Sequence, residues 1–198
     1  MIREFHLADL FTLANAGCGM AAVFCAIIHV GGESRPHFFA AVVLVFAALV
    51  FDVLDGRIAR WRQKHSALGR ELDSLADVIS FGVAPAVLAF AAGMRGGWDW
   101  LVLIYFVCCG VSRLARFNVT SEAMSEGGDK VVYFEGTPIP TSVGLVAVLA
   151  FAAWQDRLGD KLYWGTWTIG PGDLHPLALL FVASGTLMIS TALRIPKI

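Results

Sequence analysis

The stretch FDVLDGRIARWRQKHSALGRELDSLAD, residues 51–77, carries four aspartates between two long apolar segments. These aspartates are Asp52, Asp55, Asp73 and Asp77. The flanking segments are apolar enough to cross a bilayer, so the carboxylates lie at the edge of membrane-like sequence. Ionisable groups are costly in such places and are usually functional. The stretch therefore predicts a pair of membrane helices and a site where they meet.

The composition of the whole chain is that of a membrane protein. Of its 198 residues, 57% are hydrophobic and 16% are charged, whereas a soluble domain has about 25% charged residues. A helix needs roughly 20 mostly apolar residues to cross a bilayer. Six runs of this kind are residues 9–30, 37–55, 71–93, 98–118, 137–157 and 174–193. We therefore expect an all-α integral membrane bundle of about six transmembrane helices, in one domain over residues 1–198.

The first run is not followed by a cleavage site and a soluble domain, so we expect it to stay in the mature protein. Lys and Arg indicate the orientation, because cytoplasmic loops are enriched in them. With both termini cytoplasmic, eleven of these residues fall inside and four outside. This bias predicts a multi-pass protein of the cell's inner (cytoplasmic) membrane, with residues 51–77 facing the cytoplasm.

The remaining composition excludes several classes of function. The net charge is −1 with basic residues segregated by side, so no nucleic-acid partner is expected. All four cysteines fall in predicted spans without metal-type spacing, which favours packing roles and no disulfide. The five histidines are scattered over termini, loops and span ends. None is expected to pair with Ser and Asp as a nucleophilic arrangement requires.

The spacing of the aspartates predicts that they share a site. Asp52 and Asp55 are three residues apart, and Asp73 and Asp77 are four apart, so each pair lies on one helix face. A helical hairpin would bring all four together, and like charges so close need cations to remain ionised. Oxygen-only ligands suit Mg²⁺ or Mn²⁺ better than Zn²⁺. A pair of such ions can bridge phosphate oxygens in phosphoryl transfer.

A simpler interpretation explains single aspartates but not the set. Any one of them could reach water, pair with Arg57, Arg60 or Arg70, or mark a helix start. Small residues lie between the acidic pairs at Gly56, Ala59 and Gly69. Glycine lets a ligand approach the backbone, and the Arg60 guanidinium can form paired hydrogen bonds to phosphate.

At these positions the sequence resembles the CDP-alcohol phosphatidyltransferase family, whose motif is D-x-x-D-G-x-x-A-R, about eight residues, then G-x-x-x-D-x-x-x-D. The matching residues are Asp52, Asp55, Gly56, Ala59, Arg60, Gly69, Asp73 and Asp77. The resemblance implies a cytoplasm-facing site with two metal ions held by the four aspartates. It also implies a homodimer, and a CDP group bound by Asp52, Gly56, Ala59, Arg60 and Gly69. In that family the last aspartate, here Asp77, is the base that takes the proton of the acceptor hydroxyl.

Three flanking strings are similar to the phosphatidylserine synthase branch of that family. They are LDSLADVISFGVAPA (72–86), SRLARFNV (112–119) and YFEGTPIPTS (133–142). This similarity implies that L-serine is the acceptor and CDP-diacylglycerol the donor. A serine pocket needs a cation, an anion and hydrogen-bonding groups. Candidate acceptor residues are Arg113, Arg116, Asn118, Thr137 and Ser142.

Alternatives remain open at this point. Arg113 and Arg116 could instead anchor the protein to the phosphates of membrane lipids. The same chemistry could use glycerol phosphate, inositol phosphate or choline as the acceptor. A divalent-cation transporter would also place carboxylates in membrane helices. Its weakness is that all four aspartates cluster on one side of the membrane.

Overall fold

The computed structural model describes residues 7–32, 35–62, 67–127, 133–191 and 194–196. Within these ranges the chain forms a bundle of α-helices. They are α1 Leu7–Val30, α2 Arg35–Arg62, α3 Ala67–Asp77, α4 Ala84–Ala92, α5 Gly97–Gly127, α6 Val143–Trp154 and α7 Leu179–Ile189. The predicted all-α membrane bundle is confirmed.

Two short antiparallel ribbons accompany the helices in the described part of the chain. Strand β1 (Tyr133–Glu135) pairs with β4 (Arg194–Pro196). Strand β2 (Trp167–Ile169) pairs with β3 (Gly172–Leu174). Single 3₁₀ turns at Ile139–Ser142, Gly159–Lys161 and Pro176–Ala178 complete the regular structure.

Helix lengths separate four long spans from two short ones. Among the described residues, four helical segments are long and apolar enough to cross a membrane. They are Ala8–Val30, Arg35–Ile58, Leu68–Ala92 and Gly97–Thr120. The fifth and sixth predicted runs form shorter apolar helices, Ile139–Trp154 and Pro176–Ile189. Each short helix begins just before or at a proline, because proline at a first turn has no N–H to lose from the helix.

Two predicted boundaries fall short of the observed helices. The second run was expected to end at residue 55, but α2 continues to Arg62. The fourth was expected to end at 118, but α5 continues to Gly127. Both extensions are polar, so a search for apolar runs does not detect them. The helical hydrogen bonding nevertheless continues through them. The first acidic pair and Gly56 therefore lie within one helix.

The third span lies at the centre of the bundle. Of its apolar window, 67% is buried, against 28–33% for the other three long spans. It contacts α1, α2, α5 and α6. The surrounding core includes the fully buried Phe81, Leu88, Phe106 and Phe181. Residues that this span carries are consequently held by neighbours on several sides.

This central span is interrupted by a π-helical segment, Val78–Val83, between α3 and α4. The N–H of Ala84 bonds to Ile79 O, five residues back. Pro85 follows and has no N–H to offer the Phe81 carbonyl in an α-helical register. The Ser142 hydroxyl donates to Phe81 O instead, at 2.7 Å. π-Helical turns are frequent at functional sites, and this one directly follows Asp77.

A buried acidic residue lies at the opposite end of the third span. It is Asp99, near the start of α5. Asp99 is fully buried, and its Oδ1 accepts from the His175 backbone N–H at 2.8 Å. Its Oδ2 lies 2.6 Å from His175 Nδ1 and accepts from the Gly96 N–H at 2.9 Å. Thr166 Oγ1 lies 3.1 Å from His175 Nε2. The sequence analysis did not anticipate the pairing of His175 with Asp99, because the two residues are 76 positions apart in sequence.

Candidate active site

Three of the four predicted aspartates converge where α2 faces α3. One carboxylate oxygen from each of Asp52, Asp55 and Asp73 lies within 4.8 Å of the other two. Helix α2 supplies the first two and α3 the third, so helical spacing within α2 and the packing of both helices against α1 together form the group. We call these three residues the acidic cluster.

Asp77 lies one helical turn beyond Asp73 and outside the acidic cluster. Its side chain is buried, with 7% exposed. It interacts electrostatically with Asp52, Asp73 and Asp55. The two pairs therefore form one electrostatic unit, but Asp77 is the member at its edge.

Helix α1 adds two polar residues that the sequence analysis missed. Thr12 Oγ1 donates to Asp55 Oδ2 at 2.8 Å, and Asn15 Nδ2 donates to Asp77 Oδ1 at 3.4 Å. Both side chains are buried, and Asp9 is buried on the same helix. These residues are three positions apart, so they form one polar face on an otherwise apolar helix. The three-residue spacing of polar residues on an apolar helix is the sequence signal that could have identified Thr12 and Asn15.

The predicted CDP-binding residues differ in how far the structure describes them. Gly56 lies in α2 beside Asp55, and a Cβ added there would meet no atom of the described residues within 4 Å. This leaves open space next to the acidic cluster. Gly69 is half-buried near the start of α3. The backbones of Ala59 and Arg60 belong to α2, but their side chains lie outside the described residues.

The donor set fits hard divalent cations. Among the described residues, Asp73 Oδ1 and Asn15 Oδ1 are buried without a hydrogen-bond partner. Buried polar atoms are normally satisfied, so orphaned acceptors beside clustered carboxylates indicate a missing positive partner. Carboxylate oxygens are ligands that Mg²⁺ and Mn²⁺ accept. The acidic cluster with Asp77 is therefore suited to metal ions.

Two of the predicted acceptor residues lie on α5 near the second acidic pair. Arg113 is within electrostatic range of Asp77, and its guanidinium carbon lies 5.6 Å from the centroid of the Phe117 ring. Asn118 Oδ1 accepts from Ser74 Oγ at 3.2 Å, and its amide nitrogen lies 3.4 Å from both Glu71 carboxylate oxygens. Helix α5 is thereby linked to the acidic end of α3.

The other predicted acceptor residues contact the backbone of neighbouring helices. Arg116 donates to Ile189 O, in the last residue of α7, at 3.2 Å. The backbone N–H of Thr137 donates to Leu187 O at 3.2 Å. The side chain of Ser142 is fully buried and donates to Phe81 O. Helix packing explains each of these contacts. They are therefore weaker evidence for an acceptor site than the electrostatic interaction of Arg113 with Asp77.

Comparison with known proteins relates this geometry to a family. The sequence profile described as CDP-alcohol phosphatidyltransferase matches residues 5–172. The chain is 40% identical over 205 aligned positions to the CDP-diacylglycerol–serine O-phosphatidyltransferase of Saccharomyces cerevisiae, covering all of this chain and 72% of that protein. It is 33% identical over 166 positions to the Mycobacterium tuberculosis protein of the same name, covering 83% of this chain and 53% of the relative.

An archaeal relative extends the similarity. The chain is 38% identical over 148 positions to archaetidylserine synthase of Methanothermobacter thermautotrophicus, covering 73% of this chain and 57% of the relative. The chain thus spans about half the length of the mycobacterial and archaeal relatives and 72% of the yeast relative. The profile match covers the acidic cluster and most of the bundle, and the yeast match covers the whole chain. On this evidence the chain belongs to the CDP-alcohol phosphatidyltransferase family.

Proposed function

We propose that this protein transfers a phosphatidyl group from CDP-diacylglycerol to L-serine, giving phosphatidylserine and CMP. The observation that carries the proposal is the acidic cluster, whose oxygens lie within 4.8 Å of one another in a membrane helix bundle. The yeast and mycobacterial relatives are named for this donor and acceptor. Family membership favours a transferase over the alternative of a divalent-cation transporter.

The four aspartates would hold two ions, Mg²⁺ or Mn²⁺. The orphaned Asp73 Oδ1 supports this assignment, as does the oxygen-only donor set. When bound, such ions neutralise the charge of the diphosphate and of the leaving CMP. The proposed CDP-binding residues are Asp52, Gly56, Ala59, Arg60 and Gly69. The open space beside Gly56 supports contact between the substrate and the α2 backbone.

Asp77 is the proposed base. It lies outside the acidic cluster, so it is the aspartate most able to keep one oxygen uncommitted. A base must reach the hydroxyl proton while the other groups hold the phosphate. Asp77 takes the serine hydroxyl proton, the serine oxygen bonds to the lipid-bearing phosphorus, and the bond from that phosphorus to the CMP oxygen breaks. CMP leaves with the electron pair of that bond.

Arg113 is our leading candidate for binding the serine carboxylate. A guanidinium forms paired hydrogen bonds to a carboxylate, and Arg113 is within electrostatic range of the proposed base. Asn118 is close in sequence and tied to α3. The remaining candidates are Arg116, Thr137 and Ser142. They contact the backbone of neighbouring helices and would support the acceptor site indirectly.

We further propose that residues 1–198 act as one domain in the inner (cytoplasmic) membrane, with both termini and the site on the cytoplasmic side, and that the protein is a homodimer. The uneven distribution of Lys and Arg supports the orientation. Labelling of single introduced cysteines with a membrane-impermeant reagent tests the sidedness. Cross-linking in the membrane tests the dimer.

An acceptor panel tests the proposed reaction. Purified protein with Mn²⁺ and CDP-diacylglycerol should release CMP when L-serine is present and much less with water alone. Parallel reactions use glycerol phosphate, inositol phosphate and choline, and a CDP-linked ether lipid tests the lipid backbone. CMP release with another acceptor but not with serine would reject the serine assignment and leave the family chemistry intact. Metal flux into sealed liposomes without CMP release would instead favour a transporter.

The Arg113→Ala variant tests the proposed acceptor site. We expect the KM for serine to rise about tenfold or more, because removing a charge-assisted hydrogen bond costs about 1.5–3 kcal/mol. The KM for CDP-diacylglycerol should change much less. Arg116→Ala should raise the serine KM less than Arg113→Ala does, since that guanidinium donates to the end of α7. An unchanged serine KM in Arg113→Ala would support the lipid-anchoring alternative for this arginine.

A further inference from the structure

We propose that α1 is a positioning element for the reaction, acting through Thr12 on Asp55 and through Asn15 on Asp77. The inference rests on the proposed metal site and extends it to residues outside the family motif. Each acidic pair receives one buried hydrogen bond from the same helix. The two bonds reach aspartates with different proposed roles, so removing them should have different consequences.

Thr12 holds a member of the acidic cluster. Its side chain is 4% exposed, and its hydroxyl lies 2.8 Å from Asp55 Oδ2 and 3.2 Å from Ala8 O. A hydroxyl has one hydrogen to donate, and a bond to a carboxylate is shorter and stronger than one to a carbonyl. The hydrogen therefore goes to Asp55. Engaging Oδ2 fixes the orientation of the Asp55 carboxylate within the acidic cluster.

Asn15 holds the proposed base. Its side chain is fully buried, and its amide nitrogen lies 3.4 Å from Asp77 Oδ1. The nitrogen must face Asp77, because the amide oxygen and a carboxylate oxygen would both be acceptors. This bond uses one lone pair of Asp77 Oδ1, so that oxygen can still bind a cation while Oδ2 is left for the acceptor proton. The Asn15 Oδ1 atom, buried without a partner, is available to a donor that arrives with the substrate.

The position of α1 is fixed just beyond these donors. Ser80 Oγ, in the π-helical segment, donates to Asn15 O at 2.9 Å in a buried contact. Gly19 lies one turn further along α1, where an added Cβ would stand 2.8 Å from Ser80 Cα. The glycine thus permits direct contact between α1 and the central span. Donors on rigidly packed helices hold their geometry better than donors on loops.

The roles of the two aspartates predict separable effects. Asp55 belongs to the acidic cluster, so loss of the Thr12 hydroxyl should weaken metal binding. Asp77 lies at the edge, so loss of the Asn15 amide should slow turnover more than it weakens metal binding. A purely structural role for α1 would instead change stability and both functional quantities together.

The experiment measures Mn²⁺ affinity, from the electron paramagnetic resonance signal of free Mn²⁺, alongside CMP release by the full chain. Thr12→Val should weaken Mn²⁺ binding about 10–100-fold, the range for hydrogen-bond partners of metal ligands, and Thr12→Ser should restore it to within about threefold. Asn15→Leu should lower kcat about 10–100-fold with Mn²⁺ affinity within about threefold of the wild type. Thr12→Ala and Asn15→Ala repeat the measurements if either first variant does not fold.

Thr186→Val is the matched control. Like Thr12, Thr186 has the carbonyl four residues earlier within hydrogen-bond distance, Val182 O at 2.8 Å, but its other partner is Tyr105 rather than an aspartate. Its Mn²⁺ affinity and kcat should match the wild type. Wild-type affinity in Thr12→Val, or wild-type kcat in Asn15→Leu, would overturn the inference. Absence of Mn²⁺ binding by the wild type would instead overturn the proposed metal site itself.

Discussion

Two groups of acidic side chains lie at opposite ends of the central span, and their surroundings differ. Asp99 accepts hydrogen bonds at both oxygens and pairs with the His175 ring. Asp73 keeps a buried Oδ1 without a partner and has two further carboxylates within 4.8 Å. Asp99 is fully buried, whereas Asp52 and Asp73 are half-buried, so the two regions also differ in their exposure to solvent.

The comparison distinguishes a carboxylate that stabilises the fold from one that is suited to binding a ligand. Burying a carboxylate is tolerated when the protein supplies hydrogen-bond donors to it, as it does for Asp99. A protein that leaves carboxylates together without enough donors retains a free-energy cost, which bound cations remove. The acidic cluster is therefore expected to reach its lowest free energy only with ligands present, whereas the Asp99 group needs none.

The largest effect should come from Asp73→Asn. The change keeps the shape of the side chain but removes a charged ligand, so CMP release should fall by more than about 100-fold, the upper end for partners of a ligand. The fold should persist, because one less negative charge reduces repulsion within the cluster. The measurements are CMP release and thermal unfolding in metal-free buffer.

Asp160→Asn, at an exposed position, is the control for loss of negative charge and should retain full activity. Near-normal turnover in Asp73→Asn would contradict the distinction between a ligand-binding acidic cluster and a structural Asp99. So would a large loss of stability in metal-free buffer, because it would make Asp73 a structural residue like Asp99.

Asp99→Ala should have the next largest effect, and it should act on stability. Removing one partner of a buried pair costs about 3–5 kcal/mol, because the other partner loses its hydrogen bonds. The free energy of unfolding, measured by denaturant titration in detergent, should fall accordingly. Asp173→Ala is the control, since Asp173 is exposed and its bond to Thr168 is on the surface. A stable Asp99→Ala protein with altered serine or metal dependence would show that this end also serves the reaction.

The smallest effect should come from Ser142→Ala. This hydroxyl satisfies the Phe81 carbonyl without any charge, so its loss should cost about 0.6 kcal/mol, the average for hydrogen bonds between membrane helices. The shift is measured by denaturant titration, with Thr141→Ala as the control because Thr141 is exposed and bonds to its own turn. A raised KM for serine in Ser142→Ala would return this residue to the acceptor site.

Local rules predicted much of the site. The helical repeat relates residues three or four apart, so the spacing of Asp52 with Asp55 and of Asp73 with Asp77 placed each pair on one face. Helix ends were harder to predict, because polar turns after Asp55 continue the helical hydrogen bonding while hydropathy falls. The sequence pattern also contained the polar face of Thr12 and Asn15, but not the partner of that face.

By itself the sequence determined that this is a helical membrane protein with a clustered acidic motif, because apolar length and helical periodicity depend on nearby residues. Only the tertiary structure decided which helix donates to which aspartate, where the central span takes a π-helical turn, and that Asp99 meets His175. Those pairings join residues 43, 62 and 76 positions apart. Contacts over such separations depend on how whole helices pack, and no local pattern specifies that packing.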